Sequence, residues 1–152
     1  MQNISYCAAL NSEHQAECVG HAIALLAEGE YKLMIIDSLS CKLRQEYQGR
    51  GQLAERQFAF SRMLRQLNTA AQEFNVAVVY TNQVMADPGN TMAIVPQVKA
   101  VGGNIVSHAS TTRIQLKKGR DNNRIVKLID SPWRPEGDCQ LQLTEQGVTD
   151  AE

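Results

Sequence analysis

The chain has 152 residues, 43% of them apolar, and a formal net charge of −1. That is enough for one domain with a real core, and too little positive charge for a generic polyanion binder. No run of about 18 apolar residues occurs, so no membrane span is expected, and the first residues lack the basic-then-apolar order of a signal peptide.

Residues 4–9 read as a short apolar strand. Asn11-Ser12-Glu13-His14-Gln15 has the form of a capping box, with Ser12 as N-cap and Gln15 as its return partner, and predicts a helix to about Ala27. Tyr31-Lys32-Leu33-Met34-Ile35-Ile36-Asp37 is an apolar run ending in a carboxylate, the pattern of a strand buried on both faces of a parallel sheet. A polar loop follows over residues 38–50. Residues 52–73 predict a long amphipathic helix, with Leu53, Phe60, Met63, Leu64, Leu67, Ala71 and Phe74 on one face and Asn75 as its stop.

Val76-Ala77-Val78-Val79-Tyr80-Thr81-Asn82 reads as a second buried strand. Residues 83–103 show no clear period, and a stretch of that kind in a compact domain is usually functional or disordered. Residues 111–117 and 124–130 alternate around a turn and predict a hairpin, which Ser131-Pro132 stops. Residues 139–143 offer one more short strand. With no linker or repeat, the whole of residues 1–152 is expected to form one α/β domain. Its sheet should be parallel at the centre and antiparallel at one edge.

Ligands of open α/β sheets sit at the carboxyl ends of the strands. Asp37 stands there and could hold Mg²⁺ beside a nucleotide phosphate, or equally cap a helix or orient a loop. Gln83, just past the second strand, could sense a γ-phosphate or be a surface amide. Arg44, Arg50 and Arg56 lie in or beside a loop made pliable by Gly49 and Gly51. They suit phosphate contacts, although a solvated charged loop has the same composition. Gly102-Gly103-Asn104 allows close backbone approach to a ligand or a turn into a helix. His108 is a titrating switch or a hydrogen-bonding residue of the fold, and Trp133 a packing residue or a base-stacking platform. Cys7, Cys18, Cys41 and Cys139 are scattered with no CxxC pair, which argues against a zinc site and for reduced thiols in a cytosolic or nuclear setting.

In order and spacing, Ile35-Ile36-Asp37-Ser38, Gly49-Arg50-Gly51-Gln52-Leu53-Ala54-Glu55-Arg56-Gln57, Asn75-Val76-Ala77-Val78, Thr81-Asn82-Gln83, Gly102-Gly103-Asn104 and His108-Ala109-Ser110-Thr111-Thr112-Arg113 resemble the ATPase core of the eukaryotic RecA-like recombinases. Lys118-Gly119-Arg120 and Asp130-Ser131-Pro132 add to the match. Ala86-Asp87-Pro88-Gly89 with Thr91-Met92 is more similar to the meiotic strand-exchange branch than to the mitotic one. The resemblance implies the C-terminal part of a RecA-like P-loop NTPase core, a nuclear setting and ATP-dependent strand exchange in meiotic recombination and repair. Single- and double-stranded DNA would be bound in a helical filament or ring of recombinase protomers.

Residue by residue, the resemblance makes Asp37 the Walker-B carboxylate that serves Mg²⁺ and ATP. Gln83 becomes the catalytic residue linking nucleotide state to the second DNA-binding loop. Arg44 and Arg50 belong to the first DNA-binding loop, with Arg56 following it. Pro88, Gly89, Gly102, Gly103 and Asn104 lie in or beside the second loop, and His108 is the ATP-responsive histidine near a protomer interface. Two departures accompany it. No GxxxxGK[ST] occurs in these residues, and Pro96-Gln97-Val98-Lys99-Ala100 lacks the acidic residue of the family's cap over a neighbour's ATP. The alternative reading is a truncated or diverged non-catalytic paralogue that binds only a recombinase or DNA.

Overall fold

The computed structural model describes residues 3–86 and 98–151. The chain divides into two compact units, Met1–Ala109 and Ser110–Glu152. The first unit opens with an extended arm, not the strand expected over residues 4–9. Among the described residues its backbone joins no sheet, and Ile4, Tyr6 and Leu10 are exposed.

Helix α1 spans Ser12–Ala27, and Asn11 is its N-cap: the Asn11 Oδ1 accepts the His14 N–H at 2.7 Å. Ser12, expected in that role, instead donates both its backbone N–H and its hydroxyl to the Glu46 carboxylate, which these bonds hold below the usual carboxylate range. Asn11 wins the cap because its own backbone is extended and its short side chain reaches the third residue on. Gln15 is also released from the capping box. It is buried, and its amide Nε2 donates to the Ser38 carbonyl at 3.2 Å.

Strand β1 is Leu33–Ile36 and β2 is Ala77–Tyr80, paired in parallel with Ile36 opposite Tyr80. The crossover between them carries two helices, α2 (Cys41–Glu46) and α3 (Leu53–Glu73), with a 3-10 turn over Arg50–Gln52. The polar segment after Asp37, expected as a loop, therefore contains a helix. Helix α3 follows its periodicity: Phe60, Met63, Leu64 and Leu67 are buried. Leu53 belongs to the same stripe but sits in the first turn, beyond the core, and is 48% exposed. The helix ends in a Schellman motif. Asn75 takes φ 50°, and the Val76 N–H reaches back to the Ala71 carbonyl.

The core of this unit gathers Val19 and Leu26 of α1, Met34 and Ile36 of β1, Leu39, Leu43 of α2, and the α3 stripe. The two strands are not buried on both faces as expected. Met34 and Ile36 point into the core, while Leu33, Ile35 and Val79 are half or more exposed. A parallel strand reads as a continuous apolar run because helices cover both its faces, and among the described residues only one face is covered.

Beyond β2 come β3 (Val84–Ala86) and β4 (Val98–Ala100), an antiparallel pair with Val84 opposite Ala100, and then α4 (Gly103–Ala109). Pro88, Gly89, Asp87, Thr91, Met92, Pro96 and Gln97 lie outside the described residues.

The second unit is a four-stranded antiparallel sheet in the order β5 (Arg113–Lys118), β6 (Asn123–Asp130), β7 (Gly137–Thr144), β8 (Gly147–Asp150). The expected hairpin is β5–β6. Among the described residues no ladder joins it to the parallel sheet, and it is half of a four-stranded sheet, extended by β7 and by β8, whose short Gly-Val-Thr-Asp run is too brief to show alternation. None of its described residues is buried. No helix among the described residues is long and apolar enough to cross a membrane.

The α3 stripe gives a direct check. Leu67→Ala removes a fully buried side chain and should lower the unfolding free energy by about 2–5 kcal/mol. Leu53→Ala, at the exposed end of the same stripe, should cost under about 1 kcal/mol. Urea unfolding of the two variants measures the difference.

Candidate functional site

The parallel register places the residues that leave β1 and β2 side by side. The Thr81 N–H donates to the Ile36 carbonyl and the Leu39 N–H to the Thr81 carbonyl, both at 3.0 Å. This backbone stitch brings the Thr81 hydroxyl to 2.6 Å from Asp37 Oδ1, to which it donates. Asp37 is exposed, so one carboxylate oxygen is fixed by Thr81 and the group still meets solvent. A single carboxylate beside a hydroxyl is a set of hard oxygen donors, which fits a Mg²⁺ ion that keeps its remaining positions for water and phosphate.

Two residues further on, Gln83 is held through three atoms. Its N–H donates to the Oδ1 of neighbouring Asn82 at 2.9 Å and, more weakly, to the Ser40 Oγ at 3.4 Å. Its carbonyl accepts the Val101 N–H at 2.9 Å. Its side-chain Oε1 accepts from Arg44 Nη1 at 2.8 Å. Asn82 doubles the second link, its Nδ2 donating to the Val101 carbonyl at 2.7 Å. Ser40 and Val101 are both buried, so the anchors on either side of Gln83 are fixed in the core.

Gln83 is thereby the point where three segments meet: the end of β2, helix α2 through Ser40 and Arg44, and the β4–α4 junction through Val101. Arg44, Cys41, Gln45, Gln48 and Gln83 line an open hollow of about 210 Å³.

The structure brings together only part of the candidate set. Asp37, Arg44 and Gln83 cluster at the carboxyl ends of the strands, and Gly102 follows directly on Val101. Arg56 is half-buried and its Nη1 donates to the Tyr47 carbonyl at 3.3 Å. In this structure it braces the C-terminal end of α2 rather than extending from the loop. Arg50 opens the 3-10 turn, and only its backbone is among the described atoms. Asn104 and His108 lie on α4, both exposed.

Gly102 has φ +88°, and a Cβ there would stand 2.5 Å from Val106 Cγ2. Gly103 has φ +54° with nothing within 4 Å of a Cβ. The first glycine lets the chain turn tightly onto buried Val106. The second keeps an exposed backbone in the left-handed region.

Sequence reasoning gave Ser40 no role, quoted Thr81 and Asn82 only within a motif and cast Gln15 as a capping partner, so it missed the contacts that all four make. Thr81 could have been found by setting the two apolar runs in parallel register. The other three act on backbone groups and leave no spacing signature.

The sequence model of the Rad51 family matches residues 1–151. The chain belongs to the Rad51 family. Its relatives include the meiotic recombination protein DMC1 of Saccharomyces cerevisiae, 46% identical over 99% of this chain and 46% of that protein. The meiotic recombination protein DLH1 of Candida albicans is 46% identical over 100% of the chain and 48% of its own length. The DNA repair protein RAD51 homolog 1 of Arabidopsis thaliana is 42% identical over 99% and 44%. This Rad51-family chain thus spans just under half the length of the curated relatives it matches. The family carries with it the RecA-like α/β fold.

Gly102→Ala should destabilise the chain by about 2 kcal/mol or more, since it adds a steric clash to a left-handed backbone. Gly103→Ala, which meets no atom, should cost only the backbone term of about 1–2 kcal/mol. Thermal unfolding compared across the two variants separates packing from backbone strain.

Proposed function

We propose that this chain is the part of a meiotic or DNA-repair recombinase core in which DNA contact is linked to the carboxyl ends of the sheet. The Arg44–Gln83 hydrogen bond is the observation that carries the reading. It joins the α2 segment, which matches the first DNA-binding loop, to the residue from which β3 and β4 diverge. The long stretch between those strands matches the second loop.

Both partners are exposed, so their bond contributes only about 1 kcal/mol net. A phosphate oxygen offers Arg44 a charged acceptor that can engage the guanidinium through two N–H groups, which is stronger and shorter than a neutral amide carbonyl. DNA phosphate therefore competes with Gln83 for Arg44. When it wins, the Gln83 side chain is released while its backbone stays anchored to Ser40 and Val101. Arg50, in the same segment, adds a second phosphate contact, with Arg56 bracing Tyr47 behind them. Pro88, Gly89, Gly102, Gly103 and Asn104 belong to the second DNA-contacting stretch in this reading.

ATP and Mg²⁺ enter through Asp37, which with Thr81 would hold the metal; the nucleotide supplies the phosphate charge whose presence Gln83 reports. His108, exposed on α4, answers to a nucleotide held by a neighbouring protomer. No GxxxxGK[ST] stands among these 152 residues, so they contribute the carboxylate, the sensing amide and the DNA-facing arginines, not the phosphate-binding loop. The partners proposed are single- and double-stranded DNA and further recombinase protomers, in the nucleus.

Fluorescence anisotropy with several single-stranded oligonucleotides across a salt series tests this reading. Arg44→Ala should weaken binding to every sequence alike and make the salt slope shallower by about 0.7, the share of one neutralised phosphate on a single strand. An unchanged slope removes Arg44 from the DNA surface, and a loss confined to one sequence means base readout.

A further inference from the structure

Away from the strand ends, the N-terminal arm folds back beside α1. His14 and Cys18 stand four residues apart on that helix, hence on the same face. Cys7, on the arm, is brought against them. One ligand atom from each of Cys7, His14 and Cys18 lies within 4.8 Å of the other two. Cys7 is exposed, while His14 and Cys18 are half-buried.

Two tethers bracket Cys7 and fix the arm without any strand ladder. Ser5 Oγ and the Tyr31 hydroxyl share a hydrogen bond at 2.6 Å. On the other side, the Leu10 N–H donates to His14 Nδ1 at 3.2 Å, beside the Asn11 cap. The arm crosses the helix at a fixed place, with its thiol close to a second thiol and an imidazole.

From this juxtaposition we propose that Cys7, His14 and Cys18 form a Zn²⁺ site that clamps the N-terminal arm to α1. Two sulfurs and one imidazole nitrogen are the soft and borderline donors that select zinc over the hard cation suited to Asp37. In a tetrahedral site with Zn–S of about 2.3 Å and Zn–N of about 2.0 Å, neighbouring ligand atoms stand about 3.5–3.8 Å apart. The cluster needs to contract by only about an ångström from its outer limit. Cys7, on the open side, provides the path of entry, and water fills the fourth position.

Binding exchanges protons for metal. The two thiols give up one proton each, Zn²⁺ takes their sulfur lone pairs and the imidazole lone pair, and the Zn²⁺–dithiolate unit is neutral. If Nδ1 is the ligating nitrogen, the lone pair that now accepts the Leu10 N–H is the one the metal takes, and the cost is one exposed hydrogen bond.

The experiment uses the full, reduced, metal-free chain and Co²⁺ as a spectroscopic probe, followed by displacement with Zn²⁺. The expected result is one Co²⁺ per chain, a thiolate-to-cobalt charge-transfer band, loss of that band on adding Zn²⁺, and release of two protons per metal. Cys7→Ser, His14→Asn and Cys18→Ser should each weaken Zn²⁺ binding by more than about 100-fold, since even an outer-sphere partner is worth about 10–100-fold. Cys139→Ser should leave it unchanged. Because Cys7 is exposed on the arm, Cys7→Ser keeps the core intact. The proposal is overturned if the reduced chain takes up no Co²⁺, if the band survives Cys7→Ser, or if Cys139→Ser abolishes it.

Discussion

The parallel register of β1 against β2 is the constraint on which the site depends. With Ile36 opposite Tyr80, the next residues on each strand are Asp37 and Thr81, and the Leu39 and Thr81 backbone bonds lock the two exits together. Sliding one strand by a single residue would reverse which side chains face the core. Met34 and Ile36 would lose their packing, and Asp37 would lose the Thr81 hydroxyl. The same buried residues that stabilise the unit therefore fix the carboxylate, the hydroxyl and the amide that follows them.

From that fixed edge the chain leaves in two directions, and both are tied back to Gln83. Helix α2 begins just after buried Ser40 and carries Arg44 one turn further on. The β3–β4 pair opens at Val84 and closes at Ala100, one residue before buried Val101. A glutamine whose backbone is fixed and whose side chain is bound by an exposed arginine is suited to transmit a change. The backbone contacts to buried Ser40 and Val101 hold position, and the exposed side-chain contact to Arg44 can be exchanged for a ligand.

The long elements were legible in the sequence for different reasons. The α3 stripe follows from its helical spacing, the α1 span from the cap signal ahead of it and both parallel strands from continuous apolar runs, and Asn75 marks its helix end as a residue that tolerates positive φ. What failed to show was decided by tertiary partners. Ser12 left the cap because Glu46, 34 residues away in sequence, accepts its hydroxyl. The apolar arm pairs with no strand among the described residues, and α2 is too short to display a period. Asp37, Arg44 and Gln83 were marked by position and family pattern, but only the folded chain shows Arg44 on Gln83. The Cys7–His14–Cys18 cluster has no CxxC spacing, because one helix face and a folded-back arm assemble it.

In the proposed function, competition between Gln83 and DNA phosphate for Arg44 links the sheet to the DNA, and the affinity of Gln83→Ala for single-stranded DNA tests it directly. Removing the competitor should tighten binding by up to about fivefold, the equivalent of one hydrogen bond of about 1 kcal/mol, and the gain should vanish in the Arg44→Ala background. A Gln83→Ala chain that binds DNA more weakly than the parent, or gains as much without Arg44 as with it, would contradict that competition.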